Sequence, residues 1–176
     1  MLKLGIKIDR GKCMKSKESF NVFVLHQVID GNTLSFTDID LTTLRHILSK
    51  REFTFRTIDN ALKVGTSSKT SACLTFDDGF SSDYNIVLPE LKKAEAKATF
   101  FIVTDLIGKP GYVTKEQINS LSNAGMQIGS HSVSHPNFLD LNPEERDTEF
   151  LESKLILESI IDKEVTCFSF PFGFYN

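Results

Sequence analysis

Two adjacent carboxylates and two imidazoles four positions apart are the side chains of this sequence best suited to chemistry. They are Asp77 and Asp78 in Thr75-Phe76-Asp77-Asp78-Gly79, and His131 and His135 in His131-Ser132-Val133-Ser134-His135. A third stretch, Phe170-Pro171-Phe172-Gly173, reads as part of the same site. One carboxylate and two ring nitrogens supply three donors for a divalent cation, and the other carboxylate is left to act as a base. That inventory suits metal-assisted hydrolysis. Plainer readings exist for each part alone: Asp-Gly is a common turn pair, and the histidines could be polar loop residues. Adjacent acids at a strand end repel each other unless a positive charge compensates them, which favours the metal reading. Two histidines and a carboxylate also suit a non-haem iron oxygenase, although such sites more often carry a His-x-Asp pair and a distant histidine.

The elements that must position these groups are legible in part. Residues 21–28 (Asn-Val-Phe-Val-Leu-His-Gln-Val) read as one buried strand. His26 within it reads as a core histidine bonded to backbone, with an approach to the site as the alternative. Asp40 is expected to cap a helix through Leu41, Leu44 and Leu48, and Thr57 a second through Ile58, Ala61 and Leu62 that stops at Gly65. Residues 66–71 form a polar break, which divides a lead-in region, 1–65, from the motif-bearing domain, 66–176. Beyond it strands and helices alternate: strand 72–76, helix 84–96 kinked or split at Pro89, and strand 98–103, apolar throughout. A helix opens at the Thr114/Gln117 capping box and ends at Gly125, and strand 126–129 follows. Asn142-Pro143-Glu144-Glu145 starts a further helix carrying Phe150, Leu151, Leu155 and Ile156, and 165–170 is the last strand. Alternation of this kind predicts a parallel α/β fold. In such folds reactive groups lie just past the C-terminal ends of strands, where all three motifs are placed.

Composition narrows the function classes. A chain of 176 residues that is 40% hydrophobic and 24% charged supports one domain with a real core. A formal charge of -3 without a dense basic block gives no case for nucleic acid. No stretch approaches the roughly 20 apolar residues of a membrane span. The charged N-terminus lacks the apolar run of a signal peptide, so the cytoplasm is the expected location. Cys13, Cys73 and Cys167 are widely spaced and odd in number, as expected of reduced thiols.

Taken together, the three motifs resemble those of the polysaccharide deacetylases, carbohydrate esterase family four, over a span from about Val22 to the C-terminus. The resemblance implies a partial (β/α) barrel and removal of acetyl groups from an N-acetylated saccharide with a divalent metal, most often zinc. Asp78, His131 and His135 match the metal ligands, and Asp77 matches the general base. The backbone N–H of Phe172, following Pro171, matches the oxyanion donor. Phe172, Phe174 and Tyr175 could also stack against a sugar ring. Ser169 stands where the family usually places an arginine that orients the base. The family's later motifs, which supply the general acid, have no counterpart before Asn176, so a missing segment or a partner is expected to complete the barrel. The alternative is a weak or inactive metal- or saccharide-binding remnant.

Overall fold

Parallel pairing organises the chain. The computed structural model describes residues 21–31, 37–64 and 70–174. The elements are β1 (Asn21–Leu25), β2 (Val28–Ile29), β3 (Ile39–Asp40), α1 (Leu41–Leu48), β4 (Phe53–Arg56), α2 (Ile58–Val64), β5 (Thr70–Phe76), α3 (Leu88–Lys93), β6 (Ala98–Ile102), α4 (Lys115–Asn123), β7 (Gln127–Ser130) and α5 (Pro143–Ile161). The strand order is β1-β5-β6-β7, with β4 also on β5. Every ladder is parallel. The expected α/β architecture of parallel strands alternating with helices is therefore the one observed.

The central strand, β5, has three partners. β1 lies along one edge, with Leu25 opposite Phe76. On the other edge β4 takes the first half, with Arg56 opposite Cys73, and β6 the second, with Phe100 opposite Phe76. The polar break at 65/66 thus marks a change of composition, while the sheet and its core run across it: Leu25, Val28, Leu44 and Phe55 share one cluster with Leu74, Phe76, Phe100 and Ile102. β6 is buried at every position, as a strand covered on both faces should be.

Local chemistry sets the helix starts. Asp40 accepts the Thr43 N–H at 2.7 Å at the head of α1. Thr114 and Gln117 close a reciprocal capping box on α4, and Asn142 and Glu145 close another on α5. Residues Asp83–Val87 form a π-helical turn and α3 begins at Leu88, so the helix pattern splits just ahead of Pro89. Glu90 on α3 pairs with Arg45 of α1 at 2.9 Å and with Lys93 at 2.7 Å. Hydrogen bonds from those two cations hold its carboxyl down at about 2.

Two expected strands are corrected, and one strand was not foreseen. The strand expected over 21–28 ends at Leu25; Val28 and Ile29 belong to a separate ladder with β3, and the Val28 N–H goes to Ser82 Oγ at 3.3 Å. β4 went unread, since Phe-Thr-Phe-Arg is short and its partner residues begin at Thr70. The last strand, 165–170, is reduced to one parallel bridge between Ser130 and Phe168. Side chains replace the ladder there: Glu158 takes the Val165 N–H at 2.9 Å, and Lys154 reaches the Val165 carbonyl at 2.7 Å. In α5 the inward face is Ser153, Leu157 and Ile161, while Leu151 and Leu155 are 59% and 63% exposed.

The expectations for the N-terminal charge pattern, Cys13, the stop at Gly65 and the stacking role of Tyr175 lie outside the described residues. Among the described residues no helix is long and apolar enough to cross a membrane.

Candidate metal centre

Each functional side chain hangs on the C-terminal end of a parallel strand or on the loop just past it. Asp77 and Asp78 follow β5, with the Asp77 N–H donating to the Leu25 carbonyl at 2.9 Å. Asp78 takes a left-handed backbone, φ 76°, and Gly79 continues it at φ 77°. A Cβ on Gly79 would sit 3.1 Å from Ile102 Cδ1, so the turn has little room for a larger residue. His131 follows β7 directly, and His135 closes its loop at φ 61°.

The donors converge. Asp78 Oδ1 lies 3.5 Å from His131 Nε2 and 3.4 Å from His135 Nε2. The three ligand atoms are all within 4.8 Å of one another. Donors on zinc bonds of about 2.0–2.1 Å sit about 3.4 Å apart along the edge of a tetrahedron.

Protonation makes the same case. His131 Nδ1 lies 2.8 Å from the Ser169 carbonyl, which can only accept, so Nδ1 carries the proton and Nε2 presents a lone pair. Burial pushes His131 down to about 4, which keeps it neutral at ordinary pH; Ser169 and Asp78 pull the other way. The Nε2 lone pair of His131 therefore faces an Asp78 carboxyl oxygen across 3.5 Å, and the two repel. A cation resolves that repulsion, so the residues present fit a divalent metal.

Asp77 stands behind this set, its Oδ2 4.0 Å from His131 Nε2. Burial, and then the charge of Asp78, pushes its carboxyl up to about 7, opposed by the Ser169 hydroxyl. That hydroxyl reaches Asp77 Oδ2 at 3.4 Å, a long bond, and Asp77 Oδ1 is buried without a hydrogen-bond partner. Pro171 is buried, and Phe172 is 63% exposed with its ring edge-on to His135 at 4.8 Å. Phe172 also holds a left-handed backbone, φ 59°. The N–H groups of Gly173 and Phe174 are given to the Phe170 and Pro171 carbonyls, an arrangement that leaves the Phe172 N–H out of the turn's own bonds.

Two further groups lie near the site: His26, for which an approach was the alternative reading, and Asp83, which the sequence did not single out. His26 is half-buried at the rim of the sheet, one residue past the carbonyl that holds Asp77, and its charge acts on His131. Only the early end of β1 puts it there. Asp83, in the π turn, is completely buried with neither carboxyl oxygen hydrogen-bonded. Burial, and then the charges of Asp77 and Asp78, raises it well above the usual carboxylate range.

A carboxyl whose folded pKa is raised stabilises nothing by ionising: the folded state holds a proton that the unfolded chain releases, so stability falls as pH rises past about 4. Asp83→Asn keeps the shape and removes that penalty. The expected result in the metal-free protein is a melting temperature higher by about 2–4 °C at pH 8, with the gain vanishing near pH 4. Thermal scans across that range check it, and a pH-independent loss of stability contradicts it.

The family model for polysaccharide deacetylase matches residues 64–176. YxkH of Bacillus subtilis (strain 168), which carries the polysaccharide deacetylase name, is 28% identical over 159 residues, 88% of this chain and 57% of that protein. A peptidoglycan-N-acetylglucosamine deacetylase of Bacillus cereus is 32% identical over 97 residues, 54% of this chain and 34% of that protein. The chain thus spans a little over half of one relative and a third of the other. Among solved structures, Streptococcus pyogenes deacetylase PplD in complex with acetate has a TM-score of 0.81 at 24% identity, covering 88% of this chain and 74% of that one. With a family model matching most of its length and the same parallel architecture in a solved deacetylase, the chain belongs to the polysaccharide deacetylase family.

Proposed function

We propose that this chain carries the metal-binding half of a hydrolase that removes the acetyl group from an N-acetylated saccharide. The carrying observation is the convergence of Asp78, His131 and His135 with Asp77 directly behind them. Asp78, His131 and His135 would hold the cation, zinc by the chemistry of the donor set, and when bound it supplies Lewis-acid polarisation of the amide carbonyl and of the attacking water. Asp77 takes the proton from that water, a task suited to a buried carboxylate poised near neutrality. The Phe172 N–H donates to the oxygen on which charge develops. The amine must leave protonated, and His26, which follows Leu25 at the end of β1 and interacts electrostatically with His131, would provide that proton. This reading removes the need for a later motif as the only source of the acid.

The name of the Bacillus cereus relative supports an N-acetylhexosamine unit as the substrate class. Phe172 and Phe174, 63% and 52% exposed, offer apolar faces for a sugar ring. The flank beside Phe168, which pairs with the sheet through a single bridge, is where further chain or a partner would extend the sheet and wall the substrate groove.

Acetate release from N-acetylated glucosamine oligomers, with and without zinc, tests the proposal. The expected outcome is zinc-dependent release that His26→Ala lowers by about 10²-fold without loss of zinc binding. No release above the metal-free control supports instead the inert binding remnant, which the replacement of the usual arginine by Ser169 favours.

A further inference from the structure

Every amide N–H of the histidine loop has a partner, yet the loop has no regular secondary structure to provide one. His131 N–H donates to the Ile102 carbonyl at 2.9 Å. Ser132 N–H donates to Ser130 Oγ at 3.2 Å, and His135 N–H to Ser132 Oγ at 3.0 Å. The two in the middle go to one distant side chain. Glu149 on α5 accepts from the Val133 N–H at 2.7 Å and the Ser134 N–H at 3.0 Å through Oε2, and from the Ser134 hydroxyl at 2.6 Å through Oε1.

One turn along α5, buried Ser153 extends the grip. Its hydroxyl donates to the Glu149 carbonyl at 2.6 Å and meets Ser130 Oγ at 2.6 Å, so a relay runs from the Ser132 N–H through Ser130 and Ser153 into the helix. On its other side the loop is held by Thr104 and Asp105, whose N–H groups donate to the Ser132 and Val133 carbonyls. Ser132 and His135 both hold left-handed backbone, φ 71° and 61°. Non-glycine residues keep such conformations only where their surroundings over-determine them. Among the partners of the loop amides Glu149 alone is a carboxylate, and charge-assisted bonds are the strong ones. Its three bonds fall between the two histidines.

From these contacts we infer that Glu149 is a positioning residue for the cation site: by clamping Val133 and Ser134 it sets the spacing of the His131 and His135 nitrogens. It acts through the loop and touches neither substrate nor reacting atoms. The inference rests on the cation-site reading above.

Zinc titration of the metal-free chain, together with the visible spectrum of its Co(II) form, tests it without any turnover assay. Glu149→Ala is expected to weaken zinc binding about 10–100-fold and to alter the Co(II) bands. Glu149→Gln, whose amide oxygen can still accept both N–H groups, is expected to restore most of the affinity. Wild-type zinc affinity and an unchanged Co(II) spectrum in Glu149→Ala overturn the inference. Should that variant not fold, Glu149→Asp decides: it keeps the charge but shortens the reach, and wild-type affinity in it overturns the clamp equally. A wild-type chain that binds no zinc removes the cation site itself, a result distinct from equal binding by wild type and variant.

Discussion

Asp77→Asn is expected to lower kcat for acetate release by about 10²–10⁴-fold, while zinc affinity changes by no more than about threefold. Asn keeps the shape of the carboxylate and removes its capacity to accept a proton. The candidate cation donors, Asp78, His131 and His135, are untouched by the change. The neighbouring carboxylate serves as the contrast: Asp78→Asn removes a cation donor, so zinc affinity and turnover fall together. The pH profile gives a second reading of the same residue. In the metal-free protein burial and the Asp78 charge raise Asp77 to about 7. A cation on Asp78 cancels that second cause and lowers the value, so the acid limb of kcat/KM lies below about 7 and disappears in Asp77→Asn. Equal turnover in wild type and variant would remove Asp77 from the reaction.

Phe100→Ala carries the largest expected loss of stability, about 3–5 kcal/mol. Phe100 has no exposed surface and stacks on Phe76, ring centroids 5.2 Å apart at 18°. Truncation removes the transfer energy of the ring and leaves a cavity under the strand end that carries Asp77 and Asp78. Natural domains hold only about 5–15 kcal/mol in total, so the variant is expected to lie near the edge of folding at 37 °C. Urea unfolding with an unchanged m-value checks the figure, and a loss below about 1 kcal/mol would mean the site collapses around the smaller residue.

The features legible in the sequence are those decided by neighbours in the chain. The caps at Asp40, Thr114 and Asn142 form because each accepting side chain reaches an N–H three residues on. The split before Pro89 follows from proline's missing donor. Asp78, His131 and His135 were legible as a set because their types and spacing match one chemistry, and their placement past strand ends follows from the parallel sheet. What was not legible depends on distant partners. β4 exists through its pairing with Thr70 to Cys73. Residues 165–170 read as a strand by composition, yet Glu158 and Lys154 take the Val165 backbone groups, and pairing is left to one bridge at Phe168. His26 gained its position from a strand end three residues earlier than the expected strand over 21–28. Glu149 is one acid among several on α5, with Glu144, Glu145 and Glu152, and only the folded loop distinguishes it.

The three-partner pairing of β5 also makes the two halves of the site unequal in durability. The carboxylates grow from a strand bonded on both edges, whose amides open only with the whole sheet. The imidazoles grow from a loop outside any ladder, kept in place by side-chain oxygens and a few backbone bonds to the end of β6 and the turn after it, which sub-global fluctuations can release. An ion held between them would escape through the histidine side first, so a chelator would strip it at the rate of that local opening, long before the sheet melts.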